Sequence, residues 1–346
     1  NLQLVQNWFN LVNIGSRPEI LWTGRYQYDG SVFNGIVHLN DTQPSSEVGK
    51  RWYRATSITD PAYGLTAFEA NTACVIFDRV QIELALADGR VDVGSRIQIP
   101  VKARYEYDLE PFNGTVLLNN TVLTLDYPGT MGYKVASISD PVYSLTNFTS
   151  NSVSCVWDQV NARLEVLDDR IDVGTRASVK AEAAYAYGGE PFPGTVSLNY
   201  DTVQDKVGKY SFTVVSVTDP KYGLSAFTSN SVDVVYDTVF LNLTILDSRI
   251  DVGSKPIIFS TGIYAQDGLP FLGHVTLNAT LGPSYEVCRR WYTTESIEEQ
   301  RYGLKTFRSN AVSCTFDRVN IQLNAPLRAD VAREVSIPID GTYEYD

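Results

Sequence analysis

One unit returns about every 80 residues along the whole 346-residue chain, and this repeat limits the folds available more than any other feature. Phe77-Asp78-Arg79-Val80 comes back as Trp157-Asp158-Gln159-Val160, Tyr236-Asp237-Thr238-Val239 and Phe316-Asp317-Arg318-Val319. Three further motifs keep the same register. Val91-Asp92-Val93-Gly94-Ser95 has variants at 12–16, 171–175 and 250–254. Tyr26-Gln27-Tyr28-Asp29-Gly30 and then Phe33-Asn34-Gly35 match Tyr105 to Asp108 and Phe112 to Gly114. Asp60-Pro61-Ala62-Tyr63-Gly64-Leu65 matches the segments beginning at Asp140 and Asp219. A period this long exceeds that of a solenoid unit and suits a small self-contained domain.

The units are β. Ile97, Ile99, Val101, Ala103, Tyr105 and Tyr107 alternate with polar residues or proline, and Val179, Ala181, Ala183, Tyr185 and Tyr187 repeat the pattern. Period two with one apolar face is the mark of a half-buried antiparallel strand. Asp29-Gly30, Gly188-Gly189 and Asp267-Gly268 follow such strands and accept the positive φ of a tight reversal. Six or seven short strands per unit, with no helical pattern, predict tandem immunoglobulin-like antiparallel β-sandwiches, an all-β chain. The expected modules are 1–77, 78–157, 158–236 and 237–316, followed at 317–346 by the first two strands of a fifth. The Tyr63, Leu65, Phe68 triple and its copies are expected to lid each core from a loop. No Gly/Ser- or Pro-rich linker separates the modules, so they are expected to join end to end in a rod on the order of 120–160 Å. Two strands alone are marginal in water. The fifth unit therefore implies that the natural chain continues, or that a partner completes it by strand addition within a polymer.

The hairpin pattern Tyr-x-Tyr-Asp-Gly, followed by Glu110-Pro111-Phe112-Asn113-Gly114-Thr115-Val116 to Asn119, resembles the immunoglobulin-like modules of bacterial and archaeal cell-surface proteins: surface-layer proteins, filaments and adhesins. A related hairpin occurs in macroglobulin-type domains, and the tyrosine-rich style is similar to surface proteins of thermophilic archaea. The resemblance implies an extracellular structural role in a filament, sheath or surface layer. The alternatives it leaves are the stalk of an adhesin or receptor, and the spacer of a secreted enzyme.

Composition narrows the chemistry. A net charge of −12, spread along the chain, leaves no basic stripe for nucleic acid. No run of 18 apolar residues is present to span a membrane. The two histidines, His38 and His274, occupy non-equivalent positions and read as surface strand residues, so no catalytic group is expected. The 21 tyrosines mostly recur in register and read as core and rim packing. No cofactor is expected except calcium. Asp60, Asp78, Asp92, Asp140, Asp158 and Asp172, with further copies at Asp219, Asp237 and Asp251, are candidates to gather hard oxygen ligands near each junction, or else to cap turns and pair with arginines such as Arg79 and Arg90. Asn40, Asn113, Asn119, Asn147, Asn242 and Asn278 open Asn-x-Ser/Thr sequons, expected to carry glycans or to act as turn residues. Asn199 is the fourth copy of the Asn40 position but has Asp201 where the hydroxyl belongs. Cys74, Cys155 and Cys314 are equivalent residues in different modules, too far apart for a disulfide and suited to the core. Cys288 shares a module with Cys314, and the two are candidates for a disulfide if their strands pair.

Overall fold

A computed structural model describes residues 1–5 and 11–346. The described residues form 31 β-strands and no α-helix. By their contacts they divide into two compact units. The first holds 1–160 with 185–193 and 218–226, and the second holds 161–184, 194–217 and 227–346. The unit boundary therefore cuts through the third repeat and does not follow the repeat period.

The second repeat shows the module plan. Val80–Leu84 pairs antiparallel with Val101–Tyr105 and parallel with Phe148–Ser150. A second sheet places Ser152–Asp158 between Arg90–Asp92, which runs parallel to it, and the first half of Gly129–Ser139. The second half of that long strand leaves for a third pairing, with Thr115–Leu118. The module is thus a sandwich of small mixed sheets, antiparallel at its hairpins and closed by two short parallel pairings. Period two makes the packing: Val80, Ile82 and Leu84 all point inward with Tyr105, Val135 and Leu145. Tyr133, Cys155 and Trp157 form a second buried cluster with Ile97 and Leu125. The alternating run from Ile97 is broken at Pro100. Only Val101–Tyr105 is paired strand, while Ile97 reaches the second cluster from an irregular segment.

The hairpin after Tyr105 turns on a residue with positive φ. Gly30, Gly189 and Gly268 take this place at φ 69–71°, but the second module has Leu109 at 63°. Ser144, at 58°, likewise stands where Gly64, Gly223 and Gly303 occur. The glycine of the Phe-x-Gly motif answers a different demand. A Cβ on Gly114 would lie 2.2 Å from the carbonyl oxygen of Ser139, and Gly35 and Gly273 meet the same obstacle.

Two asparagine sets hold strand ends. Asn71, Asn151, Asn230 and Asn310 each give their amide to the backbone N–H and C=O of one leucine: Leu4, Leu84, Leu164 and Leu243 respectively. Asn40, Asn119 and Asn278 follow a register shift in the strand they end. A bulge leaves backbone groups without ladder partners. The side-chain oxygens of these three, and of Asn199, accept from Arg54, Lys134, Thr293 and Thr213 N–H on the facing strand.

Phe148, Phe227 and Phe307 start short strands, so the expected loop lid is partly a strand. Leu145, Leu224 and Leu304 are 1–3% exposed, whereas Leu65 of the first module is 48% exposed. In 317–346, Val319–Leu323 pairs with Ile339–Tyr343 as the expected hairpin. Its Ile321 is 65% exposed, against 3% for Ile82 at the same repeat position.

Candidate functional site: the clamps at the module junctions

Arg90, Val91 and Asp92 form a three-residue strand whose pairing partner ends at Asp158. Alternation sends Val91 into the core and puts Arg90 and Asp92 together on the other side. There they meet the third repeat. Arg90 Nη1 lies 3.2 Å from Asp158 Oδ2, with Asp158 fully buried. The guanidinium carbon stands 4.3 Å from the ring centre of Tyr222 and 5.2 Å from that of Tyr185. Asp158 Oδ1 accepts from Gln159 N–H and, at 2.7 Å, from Tyr187 N–H in the next hairpin turn. Asp92 accepts from Ser225 N–H, Ala226 N–H and Ser225 Oγ at 2.7–2.9 Å. One strand thus offers a cation to aromatic faces and an anion to two backbone donors.

The third and fourth repeats build the same clamp. Arg170 bridges Asp237 at 3.1 Å and Asp267 at 2.5 Å, and its guanidinium carbon sits 4.4 Å from the ring centre of Tyr302. The hydrogen bond from Arg170 holds the Asp267 carboxyl below the usual aspartate range. Asp172 accepts from Lys305 N–H, Thr306 N–H and Thr306 Oγ1 at 2.7–2.9 Å. Further on, Arg249 lies 3.5 Å from Asp317 and 2.8 Å from Asp346, beside the ring of Tyr343.

The first junction departs from this pattern. Leu11 stands where the others have arginine, and it packs into the second module's core with Val80 and Tyr105. Asn13 replaces the second acid, and its Oδ1 accepts from Thr146 and Asn147 N–H. Asp78 Oδ1 still accepts from Arg79 and Tyr107 N–H, but Oδ2 is buried without a hydrogen-bond partner. Burial raises the Asp78 pKa above that of an ordinary aspartate.

A latch inside each module backs the clamp. Tyr26, Tyr105 and Tyr185 donate their hydroxyls to Asp60, Asp140 and Asp219 at 2.8–3.0 Å, and Tyr264 donates to Glu299 at 2.8 Å. Each acid also caps its own turn, as Asp140 does for Val142 and Leu145 N–H. Burial, reinforced by the bond to Asp60, pushes the Tyr26 hydroxyl to about 12.

Eight of the nine aspartates proposed as calcium ligands, all but Asp251, are therefore spread over separate tasks. Asp60, Asp140 and Asp219 serve the latches, Asp78, Asp158 and Asp237 pin hairpin turns, and Asp92 and Asp172 hold the next loop. Among the described residues no group of three or more His, Cys, Asp or Glu side chains lies close enough to hold a metal ion. Of the sequon asparagines, Asn40, Asn113, Asn119, Asn242 and Asn278 are exposed. Asn147 is not: its Nδ2, the atom a glycan would occupy, donates to Ile14 O at 2.7 Å within the first junction. Cys288 and Cys314 do sit on paired strands and in one core, but Cys288 faces Phe316 while Cys314 faces Arg290. The register sets the cysteines on a diagonal, farther apart than directly opposed residues. Both are free thiols, so the disulfide considered for them is not formed. His38 lies 3.2 Å from Thr59 Oγ1 on the surface.

Reading the sequence offered Arg90 as a partner for an aspartate, but it missed the tyrosines that the arginines reach and the tyrosine–acid latch. The signals were there: Arg90, Arg170 and Arg249 recur at the repeat interval, and Tyr264 keeps an acid partner as Glu299 when the aspartate is lost.

No protein-family model matches the chain, and no curated protein matches it. Among solved structures, the chain is similar to the crystal structure of invasin, a bacterial integrin-binding protein. The identity is 9% and the TM-score 0.31, over 94% of this chain and 82% of that one.

Proposed function

We propose that the chain is a non-enzymatic structural protein of the cell surface, a repeat-built rod that carries load within a filament, sheath or surface layer. The supporting observation is the clamp. Arg90 with Asp92, and Arg170 with Asp172, tie one module's edge strand to the hairpin and loop of the next through ion pairs and charge-assisted hydrogen bonds. A flexible string of domains has no use for such ties, whereas a spacer that must keep its direction does. Side chains that serve only stacking and backbone capping also leave the surface free for assembly. Electron microscopy of native surface material, with gold-labelled antibody to this chain, tests the reading. Labelled, regularly repeating fibres or lattices are expected, and label confined to the cell interior would contradict it.

A further inference from the structure

Among the described residues, the two exposed tryptophans flank two of the bulge asparagines. Asn40 Nδ2 donates to Trp52 O at 3.2 Å, and its Oδ1 accepts from Arg54 N–H. The amide therefore straddles Tyr53, which is fully buried, and alternation sends Trp52 to the outer face. Asn278 does the same around buried Tyr292, donating to Trp291 O at 3.4 Å and accepting from Thr293 N–H. Trp52 is 62% exposed and Trp291 is 56% exposed, although large apolar side chains gain by leaving water. Both asparagines open sequons, Asn40-Asp41-Thr42 and Asn278-Ala279-Thr280. Arg51 pairs with Asp41 at 3.0 Å and fixes the first of these loops beside its strand. Asn199 makes the same amide bridge, to Ser211 O, but has no sequon and no tryptophan beside it.

We infer that Asn40 and Asn278 carry N-linked glycans whose first sugar lies on the indole of Trp52 or Trp291. One Nδ2 hydrogen is spent on the strand carbonyl, and the other is replaced. The Nδ2–C1 bond forms as the C1–oxygen bond of a phosphate-activated sugar donor breaks, and the amide proton is released. The C–H face of a pyranose on an exposed indole removes apolar area from water on both sides. Asn119 has the sequon without the platform, since Gly132 takes the tryptophan position, so a glycan there would stand free. Asn147 is excluded because, unlike these three, it is not exposed: its side chain lies partly buried in the first junction, with Nδ2 on Ile14 O.

This inference rests on the surface location proposed above, and the two are separated by testing location on its own with a membrane-impermeant label on intact cells. Glycopeptide mass spectrometry of the native protein is then expected to find sugar on Asn40 and Asn278 and none on Asn147. Enzymatic or chemical removal of the glycans should raise acrylamide quenching of tryptophan fluorescence. The Trp52→Gly, Trp291→Gly variant, which copies Gly132, should lose that rise. Unmodified Asn40 and Asn278 on a surface-labelled protein would overturn the inference. So would glycans whose removal leaves the quenching unchanged.

Discussion

Arg90 and Asp158 face each other at 3.2 Å, the acid fully buried and the base nearly so, at the point where the second repeat passes into the third. The pair joins the short strand Arg90–Asp92 to the end of its parallel partner, Ser152–Asp158, and the same guanidinium reaches the next module's tyrosines. Removing only the base would leave a carboxylate buried without its counter-charge. Arg90→Ala is therefore expected to cost about 3–5 kcal/mol in the unfolding of this region. Chemical denaturation followed by hydrogen exchange at Ser225 and Ala226 would locate the loss.

Asp78 provides the contrast. Its raised folded pKa means that the protonated form favours the fold. That contribution is complete below the unfolded aspartate value of 3.8 and fades as pH rises through the folded value. Asp78→Asn is expected to remove this dependence at little cost near neutral pH. Asp158→Asn, which strands Arg90, should destabilise clearly under the same conditions. Melting curves of both variants across pH 3–8, on the order of one unit apart, would compare them.

The Glu299 latch titrates in the opposite sense. Burial pushes Glu299 upward, but hydrogen bonds from Tyr302 N–H and the Tyr264 hydroxyl outweigh it and lower its pKa. Its stabilising share is present above the ordinary glutamate value of 4.5 and is lost as pH falls through the lowered folded value. Tyr264→Phe should cost about 1.5–3 kcal/mol at neutral pH and lessen the acid sensitivity of the fourth module.

Leu109 and Ser144 hold left-handed backbone in the second module where its neighbours use glycine. A side chain there costs about 1–2 kcal/mol, partly offset by the entropy glycine loses on folding. Leu109→Gly is expected to raise the melting temperature modestly, and Gly30→Val at the matching turn should lower it.

Calcium chelation is expected to leave the melting temperature unchanged, because Asp92, Asp158 and Asp172 already direct oxygens at N–H or guanidinium donors. A fall on adding EDTA would show that these acids gather around an ion instead.

The repeat, the hairpin strands and the turn residues were legible because each is local: alternation over 101–105 and glycine after Asp29 or Asp267 require nothing distant, although the same alternation continued wrongly back to Ile97. The parallel pairing of Arg90–Asp92 with Val156 to Asp158 was not, because three residues are too few to show a period. The clamp was hidden by separation, since Asp92 and Ala226 are 134 residues apart. The register of the cysteine strands was not legible either. Which residues of two paired strands face each other is set by the turn and the core, and Cys288 falls opposite Phe316.

The proposed rod depends on the arginine–acid clamps to stiffen a string of sandwiches. Small-angle X-ray scattering of the whole chain beside an Arg90→Ala, Arg170→Ala variant tests it most directly. A maximum dimension on the order of 120–160 Å for the native chain, with a broader and shorter distance distribution for the variant, is the result the claim requires. A compact native profile, or two identical profiles, would contradict it.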